Sequence, residues 1–250
     1  GRVQSVALRL AVEREKEIKA FKSQEYWRLL AKLQASGGGF EAEFREVNRQ
    51  PVEIADQATA DKLLEELHRC DWKVATSHHK EVLSKAPPPF ITSLMQQAAS
   101  VQLGFTARKT MTIAQQIYEG VDLGEGGPTG LITYMRTDSF RVSTDAVELA
   151  RRIISEKFGA EYLPAKPNTF ASRRGAQEAH EAVRPTYPER APEQVEPRLT
   201  TDQAKLYRLV WNRFIASQMA PARYQVGLAD VVAQRSGGAE HLFRAKGRHV

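Results

Sequence analysis

The chain has 250 residues, of which 42% are hydrophobic and 26% charged, and it carries a formal net charge of +6. That length allows one large domain or two small ones of ordinary globular composition. No apolar run approaches the roughly 20 residues of a membrane span, no secretory signal opens the sequence, and the single cysteine, Cys70, excludes an internal disulfide or a cysteine metal cluster. The basic residues are spread along the chain, which favours an anionic partner gripped by several segments, although a basic protein without such a partner would look the same.

Residues 6–21 have helical periodicity, with Leu8, Ala11, Val12 and Ile18 near one face. The period then changes to two. Trp27, Leu29, Ala31 and Leu33 alternate with more polar positions, as do Phe40, Ala42 and Phe44, and Ser36-Gly37-Gly38-Gly39 between them predicts a β-hairpin. A short helix follows over 59–69, then an extended segment over 72–84. Ala86-Pro87-Pro88-Pro89 halts regular structure and reads as a linker.

Helical sequence comes next. Ser93 with Gln96 suggests a capping box, Gly104 a helix stop, and Thr106 the cap of a second helix ending near Gly120. This helix-turn-helix pattern fits a DNA-docking element or, more commonly, a plain αα-corner. The glycine-rich stretch 121–130 predicts a surface loop. Ser143 or Thr144 caps a helix that stops at Gly159, a second helix is expected over 177–183 before Pro185, and Thr200 with Gln203 opens a long helix burying Leu206, Leu209, Val210, Phe214 and Ile215. Val226, Leu228 and Val232 then share one strand parity, Ser236-Gly237-Gly238 makes a turn, and 241–246 forms the return strand.

β-rich sequence thus brackets a helical block. The predicted class is mixed α and β: a β-rich domain (24–88 and 221–250) interrupted by a mainly helical domain (89–220), with a leading helical segment (1–23). One interrupted domain is favoured because three separate ones would each be too small for a good core.

The most informative stretch is Gly130-Leu131-Ile132-Thr133-Tyr134-Met135-Arg136-Thr137-Asp138-Ser139. If it is extended, Tyr134 and Arg136 share a face. A phenol beside a guanidinium fits phosphoryl transfer: the phenol as nucleophile, the guanidinium holding phosphate and favouring phenolate. An ordinary phenol titrates near pH ~10 and is only about 0.1% ionised at neutral pH, so a neighbouring cation matters. The same spacing also fits an ordinary surface strand.

This segment resembles the active-site motif of the type IA DNA topoisomerases, in the bacterial topoisomerase I branch. Gly1-Arg2-Val3-Gln4-Ser5-Val6-Ala7 resembles another signature of that family. So do Pro89-Phe90-Ile91-Thr92-Ser93-Leu94-Met95-Gln96-Gln97-Ala98-Ala99 and Gln177-Glu178-Ala179-His180-Glu181-Ala182-Val183-Arg184-Pro185. The four blocks occur in the family's order. The resemblance implies a β-rich arch, or hinge, domain interrupted by a helical domain carrying the tyrosine. It also implies relaxation of negatively supercoiled DNA without ATP, through a 5′-phosphotyrosyl intermediate.

By that resemblance Tyr134 is the nucleophile and Arg136 stabilises charge. His180 and Arg184 are expected to bind DNA, His180 at phosphate near the cleavage point and Arg184 beside it, since four residues on it would share the helix face; Arg2, Gln4 and Ser5 line a single-strand groove. No Glu…Asp-x-Asp cluster matches the family's magnesium site. No cofactor is therefore expected within this chain, and Mg2+ is expected only through a separate N-terminal Toprim domain. The expected partners are single-stranded DNA and that domain, in a cytoplasmic, nucleoid-associated setting without a membrane. The chain opens inside one signature and stops as a strand ends, so it is expected to be part of a larger enzyme, weakly active or inactive alone. The alternative is a non-catalytic helix-turn-helix DNA-binding module. His78-His79 is read as surface rather than metal-binding, since adjacent strand residues face opposite ways. Tyr26, Trp27, Trp72 and Trp211 are read as core rather than base-stacking platforms.

Overall fold

The computed structural model describes residues 1–35, 37–124, 126–171 and 180–249. The first elements are helix α1 (Arg2–Ala20), strands β1 (Leu30–Ala35), β2 (Gly38–Val47) and β3 (Gln50–Pro51), helix α2 (Gln57–Leu67) and strand β4 (Asp71–Ser84). Helices α3 (Thr92–Leu103) and α4 (Ala107–Glu119), the short strands β5 (Val121–Asp122) and β6 (Pro128–Thr129), and helix α5 (Thr144–Lys157) follow. The chain ends with helices α6 (Pro192–Val195) and α7 (Thr201–Ser217) and strands β7 (Ala222–Gln234) and β8 (Glu240–His249). The mixed α and β class is as expected, with an antiparallel sheet. The chain divides into two compact units, Gly1–Val82 with Tyr224–Val250, and Leu83–Arg223.

The first unit is built on a sheet of order β1-β2-β8-β7-β4, with β3 also on β2. The glycine turn closes the predicted hairpin, pairing Leu33 with Phe40 and Ala31 with Ala42. Alternation then decides which face is covered. Ala42, Phe44, Val231, Ala233 and Phe243 are buried together with Ala60 and Leu67 of α2. On β7 the covered parity is therefore that of Val231 and Ala233, opposite to Val226, Leu228 and Val232. Helix α2 is started by Asp56, whose carboxylate accepts the Thr59 N–H at 2.7 Å.

Three aromatic expectations fail in this unit. Tyr26, Trp27 and Trp72 are exposed. Tyr26 and Trp27 lie on the coil before β1, where the Trp27 indole donates to Glu25. Trp72 begins the sheet-edge strand β4 and packs one side against Phe243, at 4.8 Å between rings. All fourteen residues of β4, His78 and His79 included, are exposed. Helix α1 forms as expected, but none of its residues is buried, so Leu8, Val12 and Ile18 are uncovered among the described residues.

The second unit is a helical cluster around α7. The Thr200/Gln203 capping box is present, and Leu206, Tyr207, Val210, Phe214 and Ile215 are buried along one side. The Tyr207 hydroxyl donates to the Arg190 carbonyl at 2.7 Å, and burial raises its phenol pKa. Trp211 is buried as expected and donates to the Pro188 carbonyl at 2.8 Å. Gly104 ends α3 in the left-handed conformation (φ 67°), and Thr106 caps α4 through the Lys109 N–H. Helix α3 starts two residues earlier than a Ser93 cap implies: its N-cap is Ile91, with no side-chain cap, and the Thr92 hydroxyl is engaged in tertiary hydrogen bonds. Phe105, in the α3–α4 turn, is buried in the core, as are Ile113, Ala114 and Ile117 of α4. The pair is a packed corner.

Candidate active site

The Tyr134 segment is held from several sides by backbone bonds. At its start Gly130 runs so close to the end of α4 that a Cβ there would lie 2.6 Å from the Tyr118 carbonyl oxygen. Leu131 N–H donates to the Ile117 carbonyl at 2.7 Å, and Thr186 N–H donates to the Leu131 carbonyl at 3.0 Å. Further along, Thr92 clamps the chain. Its N–H donates to the Thr137 carbonyl, and its hydroxyl accepts the Thr137 N–H at 2.9 Å while lying 2.7 Å from the Met135 carbonyl.

No regular strand results, contrary to expectation. Only an isolated bridge joins Ile132 to Pro185, because the segment's bonds go to loops and helix ends rather than to one partner strand. The alternation survives nonetheless. Met135, Thr137 and Ser139 are buried, while Tyr134, Arg136 and Asp138 are exposed.

The expected helix at 177–183 is also replaced where it can be seen. Residues 177–179 lie outside the described residues, and 180–183 are not helical. Ala182 N–H donates to the Arg141 carbonyl at 2.8 Å, and Val183 N–H to the Phe90 carbonyl at 2.7 Å, which leaves neither free for a helical ladder. Pro185 further disfavours helical geometry at Arg184. His180 and Arg184 therefore share no helix face.

This extended piece sets His180 beside the tyrosine. The ring centroids of Tyr134 and His180 are 5.7 Å apart, and that of Tyr118 lies 5.4 Å from Tyr134 in an edge-on arrangement. The tyrosine ring is thus flanked by Tyr118 and His180 while remaining 36% exposed. Arg136, on the same exposed parity, makes no ion pair among the described residues. Arg184 is engaged differently: its guanidinium pairs with Glu181 at 2.6 Å and donates to the Pro185 carbonyl at 2.9 Å. Tyr118 and Thr92 were not foreseen as site residues. Tyr118 carries no local signal beyond its place in the last turn of α4, and Thr92 only its place in the Pro-Phe-Ile-Thr-Ser block.

Arg2, Gln4 and Ser5 belong to the first unit, where all three are exposed in the opening turns of α1. The Gln4 side chain accepts from the Gly1 amine at 2.9 Å, and the Ser5 hydroxyl donates to the Gly1 carbonyl at 3.2 Å. Among the described residues no three His, Cys, Asp or Glu side chains gather in a way that could hold a metal ion. No helix among them is long and apolar enough to cross a membrane.

A family model described as DNA topoisomerase matches residues 1–250. The chain belongs to the DNA topoisomerase family. Its relatives place it in the bacterial topoisomerase I branch. It is 46% identical, over its whole length, to DNA topoisomerase 1 of Xylella fastidiosa strain 9a5c, and equally so to that of strain Temecula1. It spans 31% of the length of each. The structure of full-length topoisomerase I from Thermotoga maritima is similar over 99% of this chain and 38% of that one, with a TM-score of 0.78 and 36% identity. For this topoisomerase segment the helix-turn-helix module is not the favoured reading. The match runs the full length of the chain, and the α3–α4 turn is tied into the core.

Proposed function

We propose that this chain is the part of a type IA topoisomerase that carries the nucleophile, and that Tyr134 opens one strand of DNA. The phenolic oxygen attacks phosphorus and the bond from phosphorus to the 3′-oxygen breaks. The phenol gives up one proton and the departing 3′-oxygen takes one up as a hydroxyl. The product is a 5′-phosphotyrosyl ester. One phosphoester replaces another, so resealing needs no ATP, and passage of a second strand before resealing relaxes negative supercoils.

The observation that carries this reading is the exposed Tyr134 ring set between Tyr118 and His180, with Arg136 on the same exposed parity. Arg136 is assigned stabilisation of the phosphorane charge, not proton transfer, since a guanidinium does not give up its proton. His180 is assigned a contact to phosphate beside the cleaved bond. Arg184 is assigned to holding the His180 segment through its pair with Glu181. Arg2, Gln4 and Ser5 are assigned to a groove for single-stranded DNA. The described residues do not fit a magnesium site, so no step here runs through the ion. The parent enzyme is proposed to take Mg2+ through an N-terminal Toprim domain, and to work in the cytoplasm on the nucleoid.

The test is a denaturing gel with a labelled single-stranded oligonucleotide, magnesium and the parent enzyme. A covalent adduct should form with Tyr134 and vanish in Tyr134→Phe; an adduct that persists in the variant would move the nucleophile elsewhere. This chain alone should give little or no adduct, and magnesium-dependent plasmid relaxation by it would contradict the need for the other domain.

A further inference from the structure

A cavity of about 330 Å³ opens just past the Tyr134 segment, lined by Phe140, Arg141, Thr144, Asn168, Phe170 and Gln218 among others. Its size falls at the lower end of small-molecule sites, roughly 300–1,000 Å³. Three features differ from an ordinary surface dent. Gln218, at 1% exposure, lines it with a side-chain oxygen that has no hydrogen-bond partner, while its amide nitrogen donates to the Asn168 carbonyl at 3.2 Å. Helix α5 begins at the cavity with no side-chain cap on its first N–H groups, because the Ser143 hydroxyl lies towards Arg184 instead. Finally, two phenylalanines and an exposed arginine share the lining.

We propose that this cavity receives one nucleotide of the single strand held at the active site, a reading that rests on the function proposed above. Each wall suits one part of such a ligand. The phenylalanine faces offer stacking to a base. The bare Gln218 oxygen is an acceptor in search of a donor, which the N–H edge of a base supplies. The uncapped α5 terminus and Arg141 suit a phosphate. Asp145, in the same first turn, opposes a free anion, so the site favours a nucleotide anchored by its base over phosphate alone.

The connection to the chemistry is short. Ala182, two residues from His180, donates its N–H to the Arg141 carbonyl, and its carbonyl accepts from the Thr133 hydroxyl. One backbone residue therefore links the cavity rim to the residue preceding Tyr134.

The experiment measures anisotropy of a fluorescent single-stranded oligonucleotide on the Tyr134→Phe chain, which makes cleavage irrelevant. Nucleotides are replaced one at a time by an abasic residue. One position should weaken binding by about 5- to 150-fold, the range of a lost base–aromatic stack. In Phe170→Ala that position should no longer matter. If Phe170→Ala fails to fold, Arg141→Ala takes its place, and should weaken binding while lowering the salt slope by about one. Binding with no sensitive position would overturn the cavity alone, as would a sensitive position that persists in Phe170→Ala or is matched by no effect of Arg141→Ala. Absence of any single-strand binding by the parent chain would overturn the proposed function as well.

Discussion

Thr133 and Arg184 are joined twice: the Thr133 N–H donates to the Arg184 carbonyl at 2.9 Å, and the Thr133 hydroxyl accepts the Arg184 N–H at 3.0 Å. The same hydroxyl donates to the Ala182 carbonyl at 2.7 Å. One side chain thus fixes the spacing between the segment of Tyr134 and the segment of His180. Thr133→Val keeps the shape and removes the hydroxyl, leaving a backbone donor and an acceptor without their partner. We expect a loss of about 1–3 kcal/mol in unfolding free energy. Adduct formation should fall by more than the unfolded fraction accounts for. Unchanged denaturant midpoints together with unchanged adduct yield would show that Thr133 does not set this spacing.

Gly130 fixes the other edge. The 2.6 Å approach to the Tyr118 carbonyl oxygen leaves no room for a methyl group, and the obstacle is backbone rather than a side chain that can turn away. Gly130→Ala should push the segment off the end of α4 and separate Tyr134 from Tyr118. Adduct yield should drop at least tenfold, with a loss of about 1–3 kcal/mol, as for overpacking. A variant with full adduct yield would mean the segment adjusts without cost.

The features legible in the sequence are those decided locally. The hairpin is set by its glycines and alternating residues, the end of α3 by Gly104, the start of α4 by the Thr106 cap, and α7 by the Thr200/Gln203 box. Parity at Tyr134 and Arg136 was legible too, since alternation of exposure needs only an extended chain. The illegible features depend on partners far along the chain. Residues 180–184 have helical composition, yet Phe90, Thr133 and Arg141 claim their backbone groups. On β7 both parities are apolar near Val231 and Val232, so only the position of α2 decides which is buried. Trp72 is core-like by composition but sits on an edge strand.

Acid sensitivity of the first unit should have a traceable part in Asp230. Arg244 donates to its carboxylate at 2.7 and 3.0 Å and lowers its pKa against a smaller opposing effect of burial. A carboxylate with a lowered folded pKa stabilises fully above its unfolded value, about 3.9, and loses that contribution as pH falls through the folded value. Because the Arg244 side chain is 40% exposed, the pair is discounted to about 0.5–1 kcal/mol. Asp230→Asn should therefore be less stable than the parent at pH 7 by that amount, and the gap should close below pH ~4. Urea unfolding at both pH values checks it, and a gap that widens in acid would reverse the assignment.

Arg136 and Arg184 make a contrast that separates chemistry from scaffolding. Arg136 is exposed and forms no ion pair among the described residues, so Arg136→Ala should leave the denaturant midpoint nearly unchanged. Adduct formation should fall by about 10²–10³-fold, the usual cost of removing one charge-stabilising donor. The Arg184 side chain is only 13% exposed and holds Glu181 and the Pro185 carbonyl. Its removal strands a half-buried carboxylate, and Arg184→Ala should cost about 1–3 kcal/mol of stability. Arg184→Lys should recover part of the stability, because a lysine restores the charge but not the planar fork. Loss of stability in Arg136→Ala would make that residue structural. A stable Arg184→Ala that binds single strands weakly would instead place Arg184 directly on the DNA.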